Sequence, residues 1–251
     1  MADSEPDIAA LFAPLAPAKA SRVVLSEARQ VLTHLRQPVD AELWGSDMIG
    51  ALGRRAAGAR AEADAEVMAE LATSLVPAAE LDATPEALAL LRVLGAIGSP
   101  ELQAVATEAA ERVVGQGVPD PDWAAGIGSP TIGRCWHYSD VGGRQESLTV
   151  CFGYGPAEHA LSVLMDHGKG GKIKDAWVDD ATGLLDKTFM AADNDPLIVF
   201  ETIERAEAGV RLARAVAAGE CPSKPDEVDD LAAHRALLHA RVRYLGAGTA
   251  G

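Results

Sequence analysis

The densest group of functional side chains in this 251-residue sequence lies between Asp166 and Asp175, in the segment DHGKGGKIKD. The segment contains three of the six lysines of the chain. Glycine-rich backbone can turn its N–H groups towards an anion, and lysine ammonium groups attract one. The segment is therefore a candidate site for a phosphate or carboxylate, bound through Lys169, Gly170, Gly171 and Lys172. The favoured interpretation is a hairpin turn with solvated lysines, because the segment matches neither phosphate-binding pattern, GxxxxGK[ST] or GxGxxG.

The same turn supplies groups for acid/base catalysis. If the chain reverses at Gly168–Gly171, four side chains can meet beside the turn: Asp166, His167, Lys174 and Asp175. His167 would exchange protons near neutral pH, and Asp175 would orient its ring. His159, at the start of the preceding predicted strand, is a weaker candidate. The alternative is a surface ion pair between Asp166 and Lys174, which contributes about 0–1 kcal/mol and only holds the turn.

A hydroxyl, an imidazole and a carboxylate on the predicted sheet form a second candidate site. In the predicted register, Ser147 would lie opposite His137, and Asp166 would be one diagonal step further. Nucleophilic catalysis needs a base that reaches the hydroxyl proton and a third group that orients the base. The sequence has no Gly-x-Ser-x-Gly elbow, and Ser147 falls in the middle of a strand. A solvated outer sheet face is therefore the favoured interpretation of these residues.

A metal ion is a third possibility for the turn, because Asp166, His167 and Asp175 carry ligand groups that can converge there. A histidine at a strand end that bonds a neighbouring carboxylate is the commoner arrangement. The chain has three cysteines without CxxC spacing, which indicates neither a thiolate zinc site nor a disulfide framework. We predict no metal site and no cofactor.

An antiparallel meander must position these side chains. Alternation of apolar and polar residues predicts strands at Gln145–Phe152 and His159–His167, and a fourth strand at Lys172–Val178 follows the glycine turn. The apolar residues of the central two strands coincide if Phe152 faces His159. For the first strand, the same reasoning pairs Ile132, Arg134, Trp136 and Tyr138 with Phe152, Val150, Leu148 and Glu146.

Helices flank this meander on both sides. Thr84-Pro85-Glu86 and Ser99-Pro100-Glu101 each combine a capping hydroxyl, a proline at the first helical position and a carboxylate in the first turn, which predicts a helical hairpin. Earlier helices are predicted to start at Ser26 and Asp40. After the sheet, helices are predicted from Asp195-Pro196 and from Pro225-Asp226-Glu227, and both should cover its apolar face.

These elements predict a mostly helical α+β protein: an N-terminal helical domain plus a four-stranded antiparallel meander packed by C-terminal helices. The helical domain is predicted to comprise residues 1–118. The α+β domain is predicted to comprise residues 119–251, with its sheet at about 131–178 and two long C-terminal helices. The boundary is predicted at Gly117–Asp122, where two prolines prevent a helix from continuing.

Composition and charge restrict the partners. The chain has 22 Lys+Arg and 37 Asp+Glu, which gives a formal net charge of −15. A polyanion meets repulsion over most of such a surface, so we predict neither a nucleic acid nor an acidic membrane as partner. The N-terminus is acidic where a signal peptide is basic, and no run of 18 apolar residues occurs. A cytoplasmic location is therefore expected.

One segment resembles a known group of proteins. Between Tyr154 and Val178, a Glu-His-Ala-Leu strand is followed by Asp-His, a Gly-Gly turn and Lys-Asp-Ala. This order resembles a group of actinobacterial-type proteins, rich in Ala and Arg and encoded by high-GC genes, for which no activity is settled. The resemblance covers about 25 of the 251 residues. It implies an origin in a bacterial cytoplasm and indicates no reaction.

Two classes of function follow from these features. Helical hairpins expose broad side-chain surfaces and no catalytic spacing stands out, so the leading hypothesis is a non-catalytic protein-interaction or regulatory protein with a protein partner. The alternative is an enzyme of hydrolase or transferase type that binds an anionic small molecule through the Asp166–Asp175 region. The sequence leaves both classes open.

Overall fold

The computed structural model describes residues 17–57 and 62–247. The chain divides into two compact units between Gly128 and Ser129. The first unit is helical, and the second combines an antiparallel sheet with helices, so the predicted α+β class is confirmed. No helix within these ranges is long and apolar enough to cross a membrane.

The helices of the first unit begin and end close to the capping signals. The unit contains α1 (Pro17–Val31), α2 (Pro38–Ala57), α3 (Glu62–Glu70), α4 (Val76–Asp82), α5 (Pro85–Ile97) and α6 (Pro100–Gly115), with a π-helical turn at Leu71–Leu75 and a 3-10 turn at Asp122–Gly126. The predicted caps are confirmed, since Thr84 accepts from Ala87 N at 3.2 Å and Ser99 from Leu102 N at 3.3 Å. The start predicted at Ser26 is wrong, because that residue lies inside α1.

Helix α5 forms the centre of the first unit. Most of its residues are buried, from Ala87 to Leu91 and again at Val93, Leu94 and Ile97. It contacts α1, α2, α4 and α6, so apolar side chains on all its sides find partners. A helix that is apolar all round is stable in water only when surrounded in this way.

The second unit contains a five-stranded sheet instead of the four strands predicted. The strands are β1 (Thr131–Asp140), β2 (Gln145–Tyr154), β3 (Ala157–Asp166), β4 (Lys172–Asp180) and β5 (Ile198–Thr202), and the helices are α7 (Ala181–Asn194), α8 (Arg205–Ala218) and α9 (Pro225–Ala247). The order across the sheet is β4-β3-β2-β1-β5, with all neighbours antiparallel. A 3-10 turn, His167–Lys169, joins β3 to β4.

The prediction of a helix that begins at Asp195-Pro196 is wrong for the first part of that segment. Asp195 follows the end of α7, and its side chain accepts a hydrogen bond from Leu197 N at 2.9 Å, which forms a turn instead of a helix start. The β-branched residues after this turn belong to β5, which pairs with β1. The helix begins only at Arg205. The final helix predicted from Pro225 is confirmed as α9.

The register of the sheet matches the prediction on one side of β2 and differs on the other. Phe152 pairs with His159, as predicted from the coincidence of apolar residues. In β1, Ile132 pairs with Phe152 as predicted, but the register then shifts, so that Cys135 instead of Arg134 pairs with Val150. This bulge moves every later side chain of β1 to the opposite face.

Helices cover both faces of the sheet. On the face we call the α8/α9 face, Leu148, Val150 and Phe152 pack against a row of residues from the two helices: Ala208, Leu212, Ala215, Leu231, Leu238 and Leu245. The predicted covering by C-terminal helices is therefore confirmed. On the opposite α7 face, Trp136 and Cys151 pack against Ala181 and Leu184. This second face is therefore partly buried, which corrects the expectation of a solvated one.

The close approach of α2 to α5 predicts the effect of one methyl group. A Cβ atom at Gly45 would lie 2.2 Å from Val93 Cγ1, so Gly45→Ala forces a core rearrangement. Such overpacking costs about 1–3 kcal/mol, more than the about 0.5–1 kcal/mol that alanine gains in a helix interior. Gly115→Ala, near the end of α6, is the control, because nothing lies within 4 Å of its Cβ position.

We expect urea unfolding to show a lower midpoint for Gly45→Ala and an equal or higher one for Gly115→Ala. An unchanged midpoint for Gly45→Ala would contradict this prediction, because it would show that α2 and α5 can move apart without loss of stability.

Candidate functional site

A buried carboxylate, Glu146, is the centre of the main polar cluster of the second unit. Its side chain is only 10% exposed. Oε1 accepts a hydrogen bond from Arg211 Nη1 at 2.7 Å, and Oε2 lies 2.9 Å from His167 Nε2. His137 Nδ1 lies 3.6 Å from Oε1, within ion-pair range but too far for a hydrogen bond. Three basic groups therefore surround one carboxylate, which satisfies its buried charge.

Four different elements bring these groups together. Glu146 extends from β2 on the α8/α9 face, since it shares the parity of Leu148. The bulge in β1 places His137 opposite Leu148, on that same face. His167 begins the 3-10 turn, and its backbone N–H donates to Arg144 O at 2.8 Å. Arg211 flanks the buried Leu212 on α8.

An open cleft of about 420 Å³ lies against this cluster. Its lining includes Glu146, Met165, His167, Arg211, Arg214 and the Gly170-Gly171 pair. Arg211 and Arg214 are three residues apart on α8, which places both guanidinium groups on one side of the helix. The cleft thus combines an imidazole and two cations around one carboxylate.

The two arginines differ in their bonding. Arg211 donates to Glu146 and to Glu207. Burial lowers the pKa of Arg211, but the hydrogen bonds and charges of Glu146 and Glu207 outweigh that effect and raise it above its ordinary value. Arg214 is exposed and has no hydrogen bond or ion pair within the part of the chain that the structure describes. Arg214 therefore supplies an uncompensated positive charge to the cleft.

The residues predicted to bind an anion are only partly assembled at this cleft. Gly170 and Gly171 line it with φ values of 83° and 76°, which favour glycine. Their N–H groups donate to His167 O at 3.1 Å and Asp166 O at 3.0 Å, so the turn itself uses these donors. Lys169 Nζ donates to Ser223 Oγ at 3.3 Å. Lys172 pairs with Asp166 in the β3–β4 register and does not line the cleft.

The four residues predicted to act in catalysis have separate partners. His167 bonds Glu146, which corrects the expectation that Asp175 orients its ring. Asp175 Oδ1 accepts from Ala176 N at 2.8 Å, and burial raises the pKa of this carboxyl above its usual range. Lys174 Nζ lies 3.4 Å from Glu227 Oε1 at the start of α9. Asp166 has no ion pair with Lys174 among the described residues.

A bulge in β4 explains this separation. The β3–β4 register shifts between Leu164 and Met165, which pair with Asp175 and Ile173, so Lys174 is the extra residue. A bulge changes the direction in which neighbouring side chains point. Asp175 and Lys174 therefore do not follow the simple alternation from which their meeting was predicted.

The predicted arrangement of Ser147, His137 and Asp166 is wrong. Ser147 pairs with Tyr138, whereas His137 pairs with Leu148 on the α8/α9 face. His137 Nε2 lies 3.2 Å from Glu201 Oε2 on β5. Within the described residues, no imidazole therefore lies beside Ser147, and the β1 bulge is the cause.

Sequence reasoning missed Glu146, Arg211 and Arg214 as site residues. Two features of the sequence could have indicated these residues. Glu146 is a charged residue at the parity of the apolar positions of β2, where a carboxylate needs partners once it is buried. Arg211 and Arg214 flank the core position Leu212 on α8, so they had to lie beside the sheet.

A second buried polar group lies further along the α8/α9 face. The ring of His159 stacks with Phe152 and Tyr154, at centroid distances of 5.9 Å and 6.2 Å. The guanidinium of Arg241 lies 5.1 Å from the centroid of the Phe152 ring. Neither ring nitrogen of His159 has a hydrogen-bond partner in the described part of the chain. Burial, and then repulsion by Arg241, lower the pKa of His159 to about 4.

No group of three or more His, Cys, Asp or Glu side chains that could hold a metal ion occurs in residues 17–57 and 62–247. Comparison of the chain with protein-family models, with curated proteins and with solved structures gave no match.

The environment of His159 predicts a pH dependence of stability. The ordinary pKa is 6.5 and the folded value is about 4, so between these pH values the unfolded chain binds a proton that the folded state does not. Folding stability therefore decreases as the pH falls through this window, by about 2 kcal/mol between pH 7 and pH 4.5. His159→Phe preserves ring stacking and removes this contribution.

Urea unfolding at pH 7 and at pH 4.5 measures the contribution of His159 to the free energy of unfolding. His34→Phe is the control, because His34 is exposed. We expect a smaller loss of stability on acidification for His159→Phe than for the wild type and His34→Phe. Equal losses of stability in all three proteins would contradict the role of His159 in this pH dependence.

Proposed function

We propose that the second unit binds a small anionic molecule in the cleft beside Glu146. The observation that carries this proposal is the Arg214 guanidinium, which lines the cleft without a protein partner in the described residues. Arg211 and His167 line the same cleft and are held in place by Glu146. An anion with two or more oxygen atoms can accept hydrogen bonds from the free edge of Arg214 and from its neighbours.

The role of Glu146 in this proposal is to position the cations. A carboxylate repels an anion, but Glu146 already accepts from Arg211 and pairs with His167, so its charge is compensated before a ligand arrives. Holding these side chains in advance lowers the entropy that binding must overcome. The shared chemistry of the ligand is a carboxylate or a phosphate. Both are small enough for a cleft of about 420 Å³.

The Glu146–His167 pair also has the form of an oriented acid/base group. A hydrogen-bonded carboxylate fixes the imidazole ring, and the other ring nitrogen can then exchange a proton with a bound molecule. Hydrolase or transferase activity at this cleft is a prediction that depends on anion binding first.

A non-catalytic protein-interaction role is the second candidate. It is supported by exposed apolar side chains around α7 and β5: Phe189 and Met190 are each 55% exposed, and Leu197 is 61% exposed. Exposed apolar groups close together are typical of interaction surfaces. A cytoplasmic location and a bacterial origin remain predictions from the sequence.

Arg214→Ala tests the proposed function by calorimetric titration with orthophosphate and with malonate. A charge-assisted hydrogen bond contributes about 1.5–3 kcal/mol, so we expect the affinity for at least one anion to fall about tenfold or more. Arg134→Ala is the matched control, since Arg134 is also exposed and unpaired among the described residues but does not line the cleft. Equal affinities for wild type and Arg214→Ala, or equal losses in both variants, would refute the proposal.

A further inference from the structure

Strand β5 forms one edge of the sheet in the described part of the chain. Two backbone hydrogen bonds extend its ladder with β1: Val141 N donates to Leu197 O at 2.9 Å, and Ile203 N donates to Cys135 O at 3.0 Å. In an antiparallel ladder, successive residues direct their backbone groups alternately to one side of the strand and to the other. Leu197 and Ile203 therefore mark the phase that bonds β1. The residues of the other phase direct their backbone groups away from β1: Ile198, Phe200 and Thr202.

Most backbone groups along this outer edge of β5 are unpaired. Ile198 N donates to Asp195 O at 3.0 Å, so this donor is already used. The C=O of Ile198 and both backbone groups of Phe200 and Thr202 make no hydrogen bond within the described residues. A row of open donors and acceptors on an edge strand is a template for pairing with another strand.

The open groups of this edge are complementary to those of a second copy of the chain. If two β5 strands pair antiparallel with Phe200 opposite Phe200, each Phe200 N donates to the Phe200 O of the other copy. In the same register, Thr202 N donates to Ile198 O of the other copy. Each of these bonds occurs twice by symmetry, and none of them needs Ile198 N. The pairing therefore uses the donors that the edge has open.

Charge and donor supply favour this register over its neighbours. Glu201 is the one charged residue of β5, and a pairing centred on it would place two carboxylates directly opposite each other, which is destabilising. A pairing centred on Val199 would need Ile198 N as a donor to Phe200 O. With Phe200 at the centre, Glu201 lies opposite Val199 and keeps its own contact with His137 Nε2 at 3.2 Å.

Exposed apolar side chains flank the pairing on both faces of the sheet. On the α7 face, the Phe200 ring contacts the exposed Phe189 edge-on, with ring centroids 5.8 Å apart, beside the centre of the pairing. On the α8/α9 face, the exposed Leu197 would lie opposite Ile203 of the second copy, which packs against the core of that face. The second copy thus covers apolar groups that one copy leaves in water.

The charges at the two ends of the pairing are complementary. The register centred on Phe200 brings Arg205, the first residue of α8, beside Asp195 of the second copy. Both side chains are exposed, and Arg205 has no ion pair in the described part of the chain. Two-fold symmetry repeats this contact of opposite charges at the other end.

We propose that β5 pairs with β5 of a second copy, so that the two sheets join into one continuous antiparallel sheet with a two-fold axis at Phe200. Two-fold dimers are the commonest oligomers of soluble proteins. The dimer does not depend on the proposed anion binding, because the residues that line the cleft beside Glu146 belong to other elements. It provides a partner for the exposed apolar residues around α7 and β5.

Sedimentation velocity of the full chain over a range of concentrations tests this dimer. The interface is small, so we expect a reversible dimer with a dissociation constant on the order of 10 µM. Thr202→Pro removes an N–H that only the dimer uses, and proline is tolerated on an edge strand where the N–H faces solvent. Its dissociation constant should rise about tenfold or more. Thr202→Ala is the matched control, because it keeps the N–H and should dimerise as the wild type does.

Leu197→Glu tests the side-chain contact and should also raise the dissociation constant about tenfold or more, since an apolar contact is replaced by a charge. Leu81→Glu is its matched control, because Leu81 is an exposed leucine on α4 and the change in net charge is the same. Thermal unfolding establishes whether Thr202→Pro folds. If it does not, the comparison of Leu197→Glu with Leu81→Glu is decisive by itself.

A wild type that is monomeric at about 100 µM, tenfold above the expected constant, would refute the dimer. Folded Thr202→Pro that dimerises as tightly as Thr202→Ala, or Leu197→Glu that dimerises as tightly as Leu81→Glu, would show that another surface is used and would also refute it. Anion titration and sedimentation report on different parts of the second unit, so each proposal can fail while the other holds.

Discussion

The bulge between Ile132 and Cys135 determines which side chains of β1 lie on each face of the sheet. Because side chains alternate along a strand, one extra residue reverses the assignment of all that follow. It places His137 beside Glu146 and sends Trp136 to the α7 face. Gly133, within the bulge, allows a close approach, since a Cβ atom there would lie 3.2 Å from Cys151 Cβ.

Each face of the sheet carries a cleft. Glu146 and Ser147 are neighbours on β2, so they face opposite sides of the sheet, and each is paired with a side chain that β1 delivers to that side. Helix α8 completes the cleft beside Glu146, and α7 completes the cleft above Ser147. A sheet that is covered on both faces by different helices can thus carry a separate cleft on each face.

Features set by short sequence separation could be predicted, and features set by long separation could not. The caps at Thr84 and Ser99 and the β2–β3 register depend on residues within one helix turn or one hairpin. The Glu146–Arg211 bond joins residues 65 positions apart, and no local pattern encodes it. Strand β5 is a short apolar run, which periodicity cannot distinguish from the start of a helix. The β1 bulge was not predicted for a similar reason: a pairing of β1 with β2 without a bulge also places Ile132, Trp136 and Tyr138 on the apolar face.

The net charge of −15 and the anion binding proposed for the cleft beside Glu146 are compatible once distance is considered. At physiological ionic strength the Debye length is about 8 Å, so acidic side chains elsewhere on the surface act weakly on a ligand in the cleft, whereas Arg211 and Arg214 act at contact distance. A nucleic acid extends far beyond such a cleft and meets the acidic surface along its whole length. The charge distribution that is predicted to disfavour a polyanion is therefore compatible with the small anion proposed for the cleft beside Glu146.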